Sequence, residues 1–441
     1  MLWPFLLALT AALAPTVEVE EPIYTTPDAA NGAGPMWCYG SSCIARVGDE
    51  VVVSGSETMP DAKPLHNVRW ALYRRAGDGW RRVQADATGR QREPCPLGVF
   101  SDGRLLLTSN PTLTPLNTYS GAAEPQVLVF DKVDAAPTVL RPRWDGQPAF
   151  TEHSYRGLAV DGPSREALLF NNVGYDQIHW SLLDRDGAFA ACGRVEVPFG
   201  AEFEKPEPIR ICYPVMALRG RAAHVLGISD ITEPVRAWRE YKLALHGGKP
   251  WDYDFRRLYY RATPELGAKP WSPWLLVADR DATCGHIANL DLWLDKQGRA
   301  HLLWLETSVW DSRMRDKFFV GTPITKSLMT AAIEDGKVTR RQRLHHGGEG
   351  CETGEQAGWA RFHATPDGRL FVIACIGGEM RLAELRSDGQ AGPWVKVPMK
   401  HPMGQFMTAT ERLGSPPSAV IDLYGTAQGV TGLSYARVRI D

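Results

Sequence analysis

The chain predicts an all-β fold, a seven-bladed β-propeller of four-stranded blades, and three observations carry that expectation. One is a recurring hairpin, an apolar run, a Gly-containing turn and a second apolar run, met seven times along the sequence. Most of these hairpins continue into a loop and a second pair of strand-like runs, giving four strands per unit. Composition agrees: 441 residues hold 42 Gly, 32 Pro, 15 Trp, 13 Tyr and 14 Phe, with helix-period stretches nearly absent. Two tandem β-sandwiches would not repeat one turn signature at a near-constant period.

The chain opens on MLWPFLLALTAALAP, an apolar run ending in Ala12-Leu13-Ala14. This predicts a secretory signal over 1–14 and a secreted or periplasmic protein. The remainder, 15–441, then forms one propeller domain, and no later run is long and apolar enough to span a bilayer. The hairpins follow as IARVGDEVVVSG, GVFSDGRLLLTS, GLAVDGPSREALLF, VMALRGRAAHVLG, LWLDKQGRAHLLW, FHATPDGRLFVIA and VIDLYGTAQGVTGLSYA. Second pairs are clear in VRWALYRRAGDGWRRVQ, IHWSLLDRDGAFAACGRVEV, LMTAAIEDGKVTRRQRL and MRLAELRSDGQAGPWVKV. The final run, ARVRID, is placed to share a blade with the N-terminal residues and close the ring. Eight cysteines are an even number that an exported chain could pair, Cys38 and Cys43 most simply.

Charge narrows the function. With 49 basic and 51 acidic residues the net charge is -2, which excludes a nucleic-acid reader working through bulk positive charge. No P-loop, GxGxxG or GxSxG is present, and GSPPS (414–418) lacks the strand–turn–helix setting of a nucleophile elbow.

In a propeller the loops entering each innermost strand, and those joining the second and third strands, open on one face. The entry loops place His153, Tyr155 and Arg156 on the third blade, and Arg210 and Tyr213 on the fourth. They place Cys284, His286 and Asn289 on the fifth, Arg361 and His363 on the sixth, and Arg412, Ser415 and Ser418 on the seventh. The second-to-third-strand loops add Tyr175, then Arg236, Trp238 and Arg239, then Trp310. Arg supplies a forked donor for carboxylate or sulfate, and Trp and Tyr offer flat faces to sugar rings. His179, inside IHWSLLD, reads as packing between blades. No cofactor is required. The one candidate metal is a structural zinc on Cys284 and His286, with His345, His346, Cys351 and His363 as candidates to complete four ligands.

The stretches HSYRGLAVDG, CYPVMALRGRAAHVLGISDITEP, WDYDFRRLYY and TATERLGSPPSAVIDLYG resemble those of exported BNR-repeat propellers. The whole mature chain resembles the propellers of secreted glycan-active proteins, sialidases and ulvan-lyase-type polysaccharide lyases among them. The lyase resemblance implies β-elimination on a uronate-containing, acidic polysaccharide, with His153, Tyr213 and Tyr175 as acid–base candidates and Arg236 or Arg239 holding the uronate. Their loop positions make Arg210, Asn289, Arg361, Trp238 and Trp310 the expected substrate-binding residues, and the resemblance implies Cys284-x-His286 as part of a zinc site. A Tyr beside such cations is expected to have a lowered pKa. The sequence departs from that family where its second His is expected, offering Asn171, Asn172 and Tyr175, with His179 a little later. A sialidase-like hydrolase would instead need Arg210, Arg361 and Arg412 around a carboxylate, with Tyr213 and Glu207 as nucleophile pair. The third reading is a glycan- or protein-binding propeller. A monomer is expected, with no nucleic acid and no membrane after signal cleavage.

Overall fold

The computed structural model describes residues 13–77, 79–174, 176–248 and 253–440. Seven four-stranded antiparallel sheets form the blades of the ring, as the hairpin count predicts. Their innermost strands, in chain order, are Ile44–Val47, Leu97–Val99, Gly157–Asp161, Ile211–Arg219, His286–Leu294, Ala357–Ala364 and Met403–Thr408. The turns leaving several of them use glycine in the left-handed region, where a side chain would be strained: Gly103, Gly298 and Gly368 lie at φ of 90°, 81° and 86°.

The ring closes through strand Thr16–Tyr24, which pairs antiparallel with Leu433–Arg439. The N-terminal strand is therefore the outermost strand of the seventh blade. That corrects one expectation. The sequence places the seventh innermost strand at 420–427, yet Val420–Ala427 is second and Met403–Thr408 innermost. The loop 409–418, with Arg412, Ser415 and Ser418, consequently turns from the innermost to the second strand and lies on the face opposite the entry loops.

Apolar side chains fill the spaces between neighbouring blades. Leu168 and Phe170 of the third blade meet Met216 and Val225 of the fourth, and Leu226 and Leu258 of the fourth meet Leu302 and Trp304 of the fifth. Because a blade is covered on both faces, an inner strand such as Leu370–Ile376 is buried at every residue and reads as an unbroken apolar run. Each fully buried Leu or Phe contributes roughly 1.5–3 kcal/mol.

Two helices interrupt the β pattern where the sequence predicts loops: α1 (Arg236–Leu245) on the fourth blade and α2 (Ser312–Phe318) on the fifth. They pack through Trp238 on Phe319 and Tyr241 on Phe318, at 5.3 and 5.5 Å between ring centres. The Asp311 carboxylate caps α2 by accepting from the Met314 amide at 3.0 Å. Among the described residues no helix is long and apolar enough to cross a membrane. All eight cysteines are free thiols, so the Cys38–Cys43 bridge expected from their spacing is not formed.

The centre of the ring is filled rather than open. Segment 36–42 descends into it from the entry-loop side, and loop 409–418 crosses it from the other. Between them lies Asp291, 1% exposed on the fifth innermost strand. Its carboxylate accepts from Arg412 Nε at 2.9 Å, from the Phe362 amide at 3.0 Å and from the Leu292 amide at 2.9 Å. Arg412 also donates to the Gly40 carbonyl at 2.8 Å, and the buried Arg361 donates to the carbonyls of Leu290 and Tyr39. Asp291→Ala leaves the buried Arg412 guanidinium without its carboxylate. It should cost about 3–5 kcal/mol of stability in equilibrium denaturant unfolding; a loss within the ordinary surface range would show that the channel does not depend on this ion.

Candidate functional site

The upper mouth, where the entry loops open, is built from blades three to five and the N-terminal segment. Gly40 makes the close approach possible: a Cβ there would sit 2.4 Å from the Tyr213 carbonyl. The neighbours of Gly40 then add rings to those of the blades. Trp37 stacks on Tyr155 (4.9 Å, 18°) and meets Tyr213 edge-on (5.5 Å), while Tyr39 stacks on Tyr213 (4.6 Å, 21°). His153 lies 4.5 Å from Tyr155 and 5.4 Å from Trp37. Phe255 continues the row from Tyr213 (6.2 Å) to His286 (5.9 Å). Next to Phe255 and His286 opens a cavity of about 360 Å³, bordered also by Trp310, Lys242, His246 and Tyr253.

The backbone beneath this row is strained. Tyr155, Tyr213 and Cys284 hold φ values of 41°, 50° and 48°, a region that bulky residues avoid at a cost of about 1–3 kcal/mol each. Each stands at the start of an innermost strand, Tyr213 in an irregularity between Cys212 and Val215. Fixed partners hold them. Glu93, buried at the second entry loop, accepts from the amides of Ser154 (2.6 Å) and Tyr155 (3.3 Å) and from the Ser154 hydroxyl (2.9 Å). Asn289 Nδ2 donates to the Tyr213 carbonyl at 2.7 Å, and the Cys284 carbonyl accepts from the Trp310 amide at 2.8 Å.

The titratable groups of the row are set apart by burial. Half-buried His153 is pulled down to about 4 by burial, with Arg92 and Arg210 acting in the same direction against Glu93. It is a neutral imidazole at neutral pH. Arg92 NH1 lies 3.0 Å from its Nδ1, and Glu93 Oε1 lies 3.6 Å from the same nitrogen. The Tyr213 phenol is pushed far above its usual value by burial and by neighbouring Cys212, Tyr39 and Asp230. That overturns the expectation of a lowered tyrosine: Tyr213 is held protonated. Among the described residues its side chain makes no hydrogen bond, so the hydroxyl is available to a ligand.

Arg210, expected to bind substrate, is buried beneath this layer. Its guanidinium pairs with Asp230 at 2.5 Å and lies 5.1 Å from the Tyr155 ring and 5.5 Å from Tyr253. Burial raises the Asp230 carboxyl despite Arg210 and Tyr155 beside it. Asn289 and Arg361, also expected to touch substrate, are 0% and 1% exposed and spend their donors on backbone carbonyls. They are positioning groups for Tyr213 and Tyr39. Tyr175 lies outside the described residues. Arg236 sits on α1 one turn from Glu240, pairs with it at 2.8 Å and faces solvent; Arg239 is drawn to the Glu233 carbonyl. Helix formation, where the sequence predicts a loop, gives both arginines partners on or beside α1. Trp238 is sandwiched between Phe319 and Arg256.

The three arginines of the hydrolase reading do not converge. Arg361 and Arg412 both lie near Asp291 in the channel, with Arg361 pulled down to about 10 by burial, while Arg210 is tied to Asp230. No sialidic carboxylate could meet all three.

A buried ion cluster underlies the wall between blades four and five. Glu233 accepts from Arg256 (2.5 and 2.8 Å) and Lys242 (2.7 Å). Burial alone would raise its carboxyl, but these two cations hold it down to about 2. Asp254, 3.3 Å from Arg256, is pushed up to about 7 by burial. Cys284 belongs to this cluster. Its sulfur lies 3.5 Å from Arg256 NH1 and 3.7 Å from Glu233, and burial lifts the thiol to about 12. The positive charges of Arg256 and Lys242 beside this sulfur oppose a second cation there. His345, His346 and His363 are engaged with Glu355 O, Ser327 Oγ and Ser418 O. No group of three or more His, Cys, Asp or Glu suited to a metal occurs among the described residues. The residues therefore do not fit a structural zinc, and no step is routed through one.

Four residues of the mouth escape the sequence reading: Trp37, Tyr39, Arg92 and Glu93. WCYG reads there only as a cysteine loop, and QREPCPLG enters the second blade without a histidine or tyrosine to mark it.

No family model and no curated protein matches the chain. Among solved structures it is similar to an ulvan lyase of polysaccharide lyase family PL25, at 10% identity and a TM-score of 0.53, with 95% of each chain covered. It is similar to the polysaccharide lyase Uly1 at 11% identity and a TM-score of 0.52, covering 98% of this chain and 94% of that one. A weaker overlay, TM-score 0.47 at 12% identity, is with an α-L-arabinanase of Penicillium chrysogenum, covering 96% and 98%. At such identities the likeness is one of fold.

The low histidine values carry a stability consequence. His153 and His286 are both pulled from 6.5 to about 4 in the folded chain, burial being the main cause. Between those values the unfolded chain binds protons that the folded chain refuses, so stability falls as pH is lowered through this window. The melting temperature should decline stepwise from pH 6.5 to 4; a flat profile would mean these imidazoles are not held neutral.

Proposed function

We propose that this propeller is an exported, monomeric polysaccharide lyase that cleaves a uronate-containing acidic glycan by β-elimination at the upper mouth. The observation that carries the reading is the pairing of a neutral imidazole with a protonated phenol. His153 and Tyr213 share the ring neighbours Trp37 and Tyr155, and Arg92 stands beside the imidazole.

Arg92 takes the role that the sequence reading gave to Arg236 or Arg239. A uronate carboxylate that engages the Arg92 guanidinium has its charge withdrawn, which acidifies the adjacent C5–H. Released from Arg92, His153 Nδ1 can hold its proton toward the Glu93 carboxylate, leaving the Nε2 lone pair as base. Nε2 takes the C5 proton, the C4–C5 double bond forms, and the C4–O bond breaks. Tyr213 supplies the proton to the departing oxygen. The products are an unsaturated uronate end and a new hydroxyl end, and solvent returns the proton from imidazolium to phenolate. Phe255 offers a ring face for a sugar beside Tyr213, and the cavity at Trp310 accommodates the chain toward the fifth blade. The lyases of similar fold support the reading without fixing the substrate.

The test is ultraviolet absorbance of unsaturated uronate ends while the protein is offered ulvan, glycosaminoglycans and other uronate polymers. Tyr213→Phe and His153→Gln should each lower the rate by roughly 10²–10⁴-fold while leaving the melting temperature near that of the parent. Arg92→Lys should weaken KM more than kcat, since a point charge replaces a fork. No absorbance on any uronate polymer would overturn the lyase reading.

A further inference from the structure

The lower mouth of the channel holds a second cavity, of about 500 Å³, walled by the innermost-strand turns of blades two to five and floored by loop 409–418. Its volume lies within the range of small-ligand sites. The floor is rigid. The Leu413 carbonyl accepts from the Val99 amide and the Arg412 carbonyl from the Val160 amide, each at 2.9 Å. Gly414, at φ 84°, packs where a Cβ would lie 1.8 Å from the Val99 carbonyl.

The chemistry of the lining is one-sided. Of its two guanidinium groups, Arg412 is buried and spent on Asp291 and Gly40, while the exposed Arg219 donates to the carbonyls of Leu294 and Asp295. The acceptors remain. Glu411 receives Trp293 Nε1–H on one carboxylate oxygen at 2.6 Å, and no described side chain occupies the other. Buried Asp161 accepts from the Ser164 hydroxyl at 2.9 Å and the Gly220 amide at 2.7 Å on one oxygen and from the Ser164 amide at 3.3 Å on the other, which leaves that second oxygen room for one more donor. The half-buried Trp293 indole and the rings of Pro163, Pro416 and Pro417 provide flat apolar wall. A space with carboxylate acceptors, guanidinium groups already bonded to backbone carbonyls and Asp291, and an aromatic wall suits a neutral molecule rich in hydroxyl donors.

We infer that the lower mouth is a binding site for a neutral sugar, one or two rings in size, whose hydroxyls donate to Glu411 and Asp161 and whose C–H face lies on Trp293. It is separate from the acid–base pair of the upper mouth and does not depend on the elimination chemistry there.

Isothermal titration of the full chain with glucose, galactose, rhamnose and cellobiose, with glucuronate as the anionic comparison, tests it. The Tyr213→Phe protein serves as host, so that failure of the lyase reading leaves this result intact. At least one neutral sugar should bind at millimolar or lower concentration, and glucuronate should bind more weakly. Glu411→Gln, which keeps the shape and the acceptor toward Trp293, should weaken that sugar about tenfold, and Trp293→Ala should abolish binding. Absence of binding by every neutral sugar overturns the inference, as does binding that survives Glu411→Gln and Trp293→Ala unchanged.

Discussion

A single carboxylate, Asp291, lies where three parts of the chain distant in sequence must agree. It receives Arg412 from the seventh blade and the Phe362 amide from the sixth, while standing on the fifth. Arg412 then reaches Gly40, and neighbouring Arg361 reaches Tyr39. A propeller core is a set of apolar seams between blades, and such seams leave the axis itself polar. The axis must be either wet or filled by groups that satisfy one another. Here it is filled, and the filling decides where the N-terminal segment stands. Tyr39 is under Tyr213 because its carbonyl is bound below.

The upper mouth inherits that rigidity. Three consecutive entry points carry bulky residues in left-handed backbone, a conformation that persists only where surroundings over-determine it. Glu93 over-determines Tyr155, and Asn289 over-determines Tyr213. The strain aims side chains that an ordinary strand entry would direct into the seams between blades. Two of the three strained residues are tyrosines in the ring row, and the third, Cys284, seats Trp310 at the edge of the cavity. Burial then divides the titratable groups, keeping an imidazole without its proton and a phenol with its own.

The blades were legible in the sequence because a turn signature and two-sided burial both leave local marks: Asp-Gly or similar turns, and unbroken apolar runs such as LFVIACI. The seventh blade was misread because its outermost strand comes from the other end of the chain, and no local pattern counts strands from the inside outward. His153 and Tyr213 were legible as polar residues at strand entries. Arg210, Asn289 and Arg361 stand at the same kind of position, and sequence cannot tell a side chain that opens on the mouth from one that turns down into the channel. Trp37 and Glu93 were invisible for a different reason. Their place depends on a segment between the ring-closing strand and the first blade, whose course only the axial ion cluster determines.

Arg412 ties the two mouths to one another. Its guanidinium supports Gly40 and, through it, the seat of Tyr213, while its own backbone forms the floor of the lower cavity. The side chain and main chain of one residue thus serve opposite faces of the ring. A displacement of loop 409–418 would move the guanidinium with it, and the Gly40 carbonyl has no slack, since even a methyl group on Gly40 would meet the Tyr213 carbonyl. Close packing transmits such shifts rather than absorbing them. The filled channel is therefore more than a plug: it makes the geometry above a function of the loop below.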